Sequence, residues 1–244
     1  MLRKSLSGLI SSALLVALAP IGTAQENQTS VTVRIAKTKG SISPFGTVSG
    51  QGSDVMVRLY REVPDGSKLL DKKRVVASRN GHYEARFDRP RRGECRVNVR
   101  VTGTDARDEE QFPCYIPDFP QGRATLTSAT DSVSIDALIA ATDPHRNYGL
   151  MYRPKMRSDL GMAFLYEGQA DHGGFWMKNT LLPLSIAFID DNDVVVRMFD
   201  MTPCKQDQCR VYDPKVPYSA ALEVNQGAFE EWGISEGDRI EIDT

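Results

Sequence analysis

Between residues 30 and 117 the apolar positions recur every second residue, with no helical period among them. SVTVRIA sets Val31, Val33 and Ile35 on one side, SDVMVRLY does the same with Val55, Val57 and Leu59, and ECRVNVRV with Val97, Val99 and Val101. Successive side chains of a strand point to opposite faces, so each run reads as a half-buried strand. KKRVVAS, GHYEARF and DEEQFPCYI supply further segments. Turn chemistry separates them at Pro64-Asp65-Gly66, Asn80-Gly81 and Arg92-Gly93. Asn-Gly suits a tight hairpin because both residues accept positive φ. Short strands at this spacing predict a small β-sandwich.

From residue 124 the pattern is mixed. SVSIDALIA, GMAFLYE, LSIAFI, VVVRMF, AALEV and DRIEI read as strands, and Asp190-Asp191-Asn192-Asp193 reads as the turn of a hairpin. Asp143-Pro144 opens a short helix running to about Met151, with Asp143 as N-cap and Pro144 where a missing N–H costs nothing. AFEEW is a second short helix ended by Gly233. The whole is expected to be mainly β: an N-terminal β-sandwich, then a compact β-barrel-like α+β domain with two short helices. IPDFPQG, with two prolines and a glycine, is the natural joint. The expected plan is a sandwich at 25–117, a linker at 118–123 and a second domain at 124–244.

The N-terminus changes the compartment. Arg3 and Lys4 precede an apolar run from Leu6 to Ala19, which Pro20 and Gly22 break before Ala24. That is the form of a cleaved secretory signal peptide at 1–24, too short to span a bilayer. The expectation is a periplasmic or secreted protein with no membrane span in the mature chain. Four cysteines fit an oxidising compartment. Of three possible connectivities, the local one, Cys95–Cys114 with Cys204–Cys209, is preferred because each bridge stays within one half. Residues 25–122 carry 17 basic and 13 acidic side chains, whereas 123–244 carry 11 and 19, a swing from +4 to −8. The acidic half would repel phosphate, so no nucleic-acid partner is expected.

GTVSGQGSDVMVRLY and NGHYEARF in the first half are generically similar to prealbumin-like and immunoglobulin-like modules of exported proteins. The second half carries a more specific pattern. GLMYR (149–153), GMAFLY (161–166), FWMKNTLLPLSIAFID (175–190), ALEV (221–224) and GISEGDRIEI (233–242) occur in that order. They resemble the prokaryotic domain of unknown function family 192. The resemblance implies a compact, β-rich, often exported domain and no assigned activity. Members commonly carry Pro-Leu-Asp where this chain has Pro183-Leu184-Ser185, so an acid at that position is dispensable here unless a neighbour supplies one.

The chain lacks H-E-x-x-H, G-x-S-x-G and a phosphate-cradling glycine loop. Six methionines beside His172 raise the idea of soft copper(I) ligation, but they lie in apolar runs where methionine is a core filler. No metal and no cofactor are expected. The dense mixture at 176–180 is the candidate site. Trp176 offers an apolar wall, while Arg153, Lys178 and Asn179 offer donors to a small polar or anionic ligand. The competing assignment makes Trp176 and Met177 core plugs, Asn179 a loop cap, and Lys178 the ion-pair partner of Glu223. The expected function is a non-enzymatic envelope binding module, for a small polar ligand or an envelope protein. The alternative is a hydrolase or transferase built around Lys178 and His172.

Overall fold

The computed structural model describes residues 29–49, 52–204 and 208–244. The expected signal peptide lies outside the described residues.

The first half forms two facing antiparallel sheets. One contains β1 (Arg34–Lys37), β2 (Ser41–Thr47), β5 (His82–Glu84) and β6 (Phe87–Asp88); the other contains β3 (Asp54–Val63), β4 (Gly66–Val76), β7 (Glu94–Val101) and β8 (Arg107–Pro113). Their orders are β1-β2-β5, with β6 also on β2, and β4-β3-β7-β8. The period-two positions fill the space between them: Ile35, Val55, Val57, Leu59, Val97 and Val99 are all buried. Cys95 and Cys114 are joined across the end of the β7–β8 hairpin. The Asn80-Gly81 turn is present, with Gly81 at φ 79. It carries the chain from one sheet to the other, from β4 to β5, rather than closing a hairpin within one sheet. β4, the outer strand of its sheet, is exposed along nearly its whole length.

The second half is a curled seven-stranded sheet. Its strands are β9 (Gln121–Thr127), β10 (Ser132–Ala140), β11 (Leu160–Ala170), β13 (Leu184–Ile189), β14 (Val195–Met201), β16 (Tyr218–Asn225) and β17 (Arg239–Asp243). The order is β14-β13-β16-β11-β10-β9-β17. The two ends meet: Val195 N–H donates to Asp238 O at 2.8 Å and Ile240 N–H to Asp193 O at 2.8 Å. The contact is confined to one corner, around the isolated Val194–Arg239 bridge, and curls the sheet without a full ladder between β14 and β17. The interior is filled from every strand, with Leu126, Ile139, Ala187, Leu222, Val224 and Ile240 buried together. α2 (Ala228–Glu231) plugs one end through Phe229.

β10 and β11 are parallel neighbours, and parallel strands need a crossover. α1 (Asp143–Tyr148) begins it. Its cap is Thr142, one residue before the expected Asp143. Thr142 is extended and its hydroxyl accepts from His145 N–H, while the Asp143 carboxylate pairs instead with Arg146 at 2.5 Å. A two-stranded ribbon of β12 (Phe175–Trp176) and β15 (Val211–Tyr212) crosses the same outer face. The Cys204–Cys209 bridge lies in the loop between β14 and β15.

The segment expected as a linker is packed. Gln121 and Gly122 are already in β9, and Phe119 is buried against His145 and Tyr148, with ring centroids at 4.9 and 6.4 Å. The sandwich core and the outer face of the barrel form one continuous apolar cluster, from Val97 and Phe112 through Tyr148 and Tyr152 to Met162 and Phe188.

Candidate functional site

Along WMKNT, Trp176 and Lys178 point outward while Met177 and Thr180 are buried. Asn179 then turns the chain with φ at 58°, a left-handed conformation that asparagine adopts more readily than most residues. Its carbonyl accepts Tyr152 N–H at 2.8 Å, and its amide donates to the Tyr152 hydroxyl at 2.7 Å. Tyr152 is itself at φ 63, and its carbonyl accepts Lys37 N–H at 2.7 Å. A line of backbone hydrogen bonds thus runs from β1, through the crossover segment, into the WMKNT block.

Lys37 anchors that line. It is 2% exposed, and its ammonium donates to Pro113 O at 2.7 Å and Tyr115 O at 3.2 Å. It stands 4.0, 4.9 and 5.6 Å from the ring centres of Tyr152, Tyr148 and Phe112. Burial and the nearby Arg89 push its pKa down to about 7, against the pull of Glu94 and Glu110. Three aromatic faces and two carbonyls favour the charged form, since desolvated cation–π contacts are worth about 2 kcal/mol.

Beside this anchor, the two halves enclose a cleft of about 700 Å³. Arg34, Phe45 and Gly46 form one wall, Asp108 and Glu110 of β8 a second, and Tyr152, Lys178, Asn179 and Leu181 a third. Gly46 permits the first wall: a Cβ there would overlap the Thr32 carbonyl. Cys204 also lines the cleft. It forms a bridge with Lys178, so the Cys204–Cys209 disulfide backs the Lys178 wall.

The charged groups of the cleft differ in what they already hold. The Asp108 carboxylate accepts Val33 N–H at 2.8 Å and Glu109 N–H at 2.9 Å. The Asn179 amide is taken by Tyr152. The side chains of Glu110, Arg34, His82 and Lys178 have no hydrogen bond or ion pair among the described residues, although Lys178 lies 5.6 Å from the Trp176 ring centre. Burial pushes the Glu110 carboxyl up to about 7; Arg34 pulls it back, Asp108 adds to the push and Lys37 opposes it.

Residues 124–242 match a family model described as "Uncharacterized ACR". The second half is a DUF192 domain. A structure from Sinorhizobium meliloti 1021, described as a "putative transcription regulator", is similar at 30% identity and a TM-score of 0.48, over 52% of this chain and 96% of that one. A protein of unknown function from Novosphingobium aromaticivorans DSM 12444 is similar at 29% identity and a TM-score of 0.43, over 49% and 83%. No curated protein matches.

Of the five candidate residues on the DUF192 domain, the fold brings Lys178 and Asn179 to the cleft. Trp176 is 49% exposed outside it, beside Lys178. Arg153 follows Tyr152 but does not line the wall; it is half-buried, and burial lowers its pKa while Tyr148 raises it. Glu223 is 4% exposed in β16, in register with Met162 and Ile186, and forms no ion pair with Lys178. Burial alone pushes its carboxyl up to about 8. His172 lies in a separate depression, stacked on Tyr166 at 4.2 Å. Ser185 has an acidic neighbour: its hydroxyl donates to Asp200 of β14 at 2.5 Å and accepts Gly227 N–H at 2.9 Å. Asp200 thus places a carboxylate next to the position where DUF192 members commonly have aspartate.

Sequence reasoning missed Lys37, Arg34 and Glu110. For Lys37 and Glu110 the signal was present. Lys37 falls on the same alternation as Val33 and Ile35, and Glu110 on that of Phe112. A charge in register with a core residue marks a strand face that is buried against something polar.

Proposed function

We propose that the protein is a non-enzymatic binding module that holds a small polar ligand in the cleft between the sandwich and the DUF192 domain. The observation that carries this reading is the set of ionisable side chains, Arg34, Glu110 and Lys178, that line one 700 Å³ cavity and make no hydrogen bond or ion pair among the described residues. Binding sites of about 300–1,000 Å³ combine apolar walls with a few convergent polar groups. Val33, Phe45 and Leu181 supply the apolar part here. The sharp turns at Tyr152 and Asn179 fix the third wall, and such conformations cluster where a site is held in shape. Export to the periplasm or medium belongs to the same proposal, and two disulfides support it. So does the division into two domains, which gives the cleft its two sides. The hydrolase alternative loses its pair, because His172 and Lys178 line different depressions.

A thermal-shift screen of the chain from residue 25 onward, against anionic, cationic and zwitterionic small molecules, tests the reading. The expected result is a stabilising ligand whose effect disappears in Leu181→Trp, which fills the cleft, and weakens in Lys178→Met. A ligand whose effect survives Leu181→Trp at full strength would place the site elsewhere and sink the proposal.

A further inference from the structure

We infer that the ligand is a zwitterion of the amino-acid or short-peptide class, whose ammonium group is received by Glu110 and whose carboxylate is received by Arg34 and Lys178. The inference rests on the cleft being a binding site and specifies its ligand chemistry.

The cleft holds both signs of charge, and neither sign is used up internally. Glu110 takes no hydrogen bond or ion pair among the described residues, although it shares a strand face with the buried Phe112. A half-buried carboxyl without a partner is a costly arrangement unless something occupies it. The adjacent acid, Asp108, is satisfied by two backbone N–H groups, so Glu110 is the acid left for a ligand. A bare divalent cation would require about six oxygen ligands, and no cluster of three or more His, Cys, Asp or Glu suited to a metal exists among the described residues. An organic ammonium needs fewer acceptors and brings three directional N–H donors.

Arg34 supplies the complementary charge. It is close enough to Glu110 to act on its ionisation, and its guanidinium has no ion pair among the described residues. An α-amino acid carries its ammonium and carboxylate on one carbon, so neighbouring acid and guanidinium groups match that head group. Lys178, on the facing wall, suits the terminal carboxylate of a longer ligand. The cavity volume favours a short peptide over a single small amino acid.

Charge neighbours also set a pH signature. Arg34 and Lys37 of β1 and Asp108 of β8 act on Glu110, while His82 and Lys178 share its cleft. Glu110, raised to about 7, must lose its proton to hold an ammonium as an ion pair. Ammonium binding therefore weakens as pH falls below about 7, by about 10- to 15-fold between pH 8 and pH 5.5 for a peptide whose own α-ammonium is half or less protonated at pH 8.

The test is calorimetric titration of the chain from residue 25 onward with alanine, trialanine, N-acetyl-trialanine and trialanine amide. Trialanine is expected to bind. N-acetylation and amidation are each expected to weaken it by about 10-fold or more. Alanine should bind more weakly than trialanine; the reverse order would place the site's preference on the free amino acid within the same class and still support the inference. Glu110→Gln should weaken trialanine by the acetylation factor, leave N-acetyl-trialanine unchanged and abolish the loss at pH 5.5; His82 is common to both proteins and cancels in that comparison. Equal binding of free and acetylated peptide overturns the inference and requires no variant to fold. Failure of every free-amine probe to bind, or an unchanged affinity in Glu110→Gln, also overturns it. Leu181→Trp separates this failure from that of the cleft: an acetylated or purely anionic compound lost in Leu181→Trp leaves the cleft standing and removes only the zwitterion, whereas trialanine binding intact in Leu181→Trp removes both.

Discussion

Two carboxyls of this protein are pushed well above the ordinary range, and they stand in opposite kinds of place. Glu110 projects from an edge strand into a cleft where Arg34, Asp108 and Lys37 all act on it. Glu223 lies on an inner strand of the curled sheet, between Met162 and Ile186, and burial is the sole cause of its shift. A raised pKa by itself is therefore no mark of a site. What separates the two is access and company: Glu110 faces a cavity shared with Arg34 and Lys178, while Glu223 is enclosed within the fold.

The largest expected effect lies at Glu223. A carboxyl held above its ordinary value keeps its proton in the fold after the unfolded chain has lost it. Between the two values the unfolded chain binds fewer protons, so stability falls as pH rises. For Glu223, raised from 4.5 to about 8, the penalty at pH 8 is roughly 4 kcal/mol relative to pH 4. Glu223→Gln should flatten most of that slope in chemical denaturation between pH 5 and 8. A slope unchanged by the substitution would mean that Glu223 ionises freely, and the contrast with Glu110 would vanish.

The seam gives the next effect. Lys37→Ala leaves Pro113 O and Tyr115 O without their donor and opens a gap among three rings, at a cost of about 3 kcal/mol. Because the Lys37 ammonium packs on Tyr148 and Tyr152 of the crossover, its loss should also lower ligand affinity in the cleft, whereas Glu223→Gln should not. Equal effects on binding would erase the distinction between seam and sheet interior.

Glu110→Gln is expected to be stabilising at pH 8 by about 2 kcal/mol, after allowing for solvent screening of a partly exposed group. It should do so while weakening ligand binding, the opposed signs that an anchoring group produces when stability and activity conflict. A destabilised Glu110→Gln protein would show instead that the carboxyl holds the fold.

The smallest effect belongs to Trp176→Ala. The ring is 49% exposed and lies outside the cleft, so the melting transition should move by less than about 1 kcal/mol. A large loss of stability would return Trp176 to the core with Met177.

Much of the architecture was legible from spacing alone. Val55, Val57 and Leu59 alternate because a strand puts every second side chain inside, and they are all buried. The two cysteine pairs followed from their separations and from each half keeping its own bridge. The WMKNT block marked the DUF192 domain, but its internal division of labour was not legible. Met177 and Trp176 are adjacent apolar residues, yet one is buried and the other exposed. Asn179, a candidate ligand donor in the sequence, spends its amide on Tyr152.

The sequence by itself determined the strands, their inward faces, the turns and the family of the second half. These are properties of neighbours along the chain, where a period of two or a proline at a helix start acts over a few residues. Only the tertiary structure decided that Lys37 would be enclosed by Tyr148, Tyr152 and Phe112, that Glu110 and Lys178 would share a cavity, and that Glu223 would not meet Lys178. Those relations join residues about 45 to 115 positions apart. They arise from how two separately patterned sheets pack, and burial and charge pairing at such a seam leave no period in the sequence.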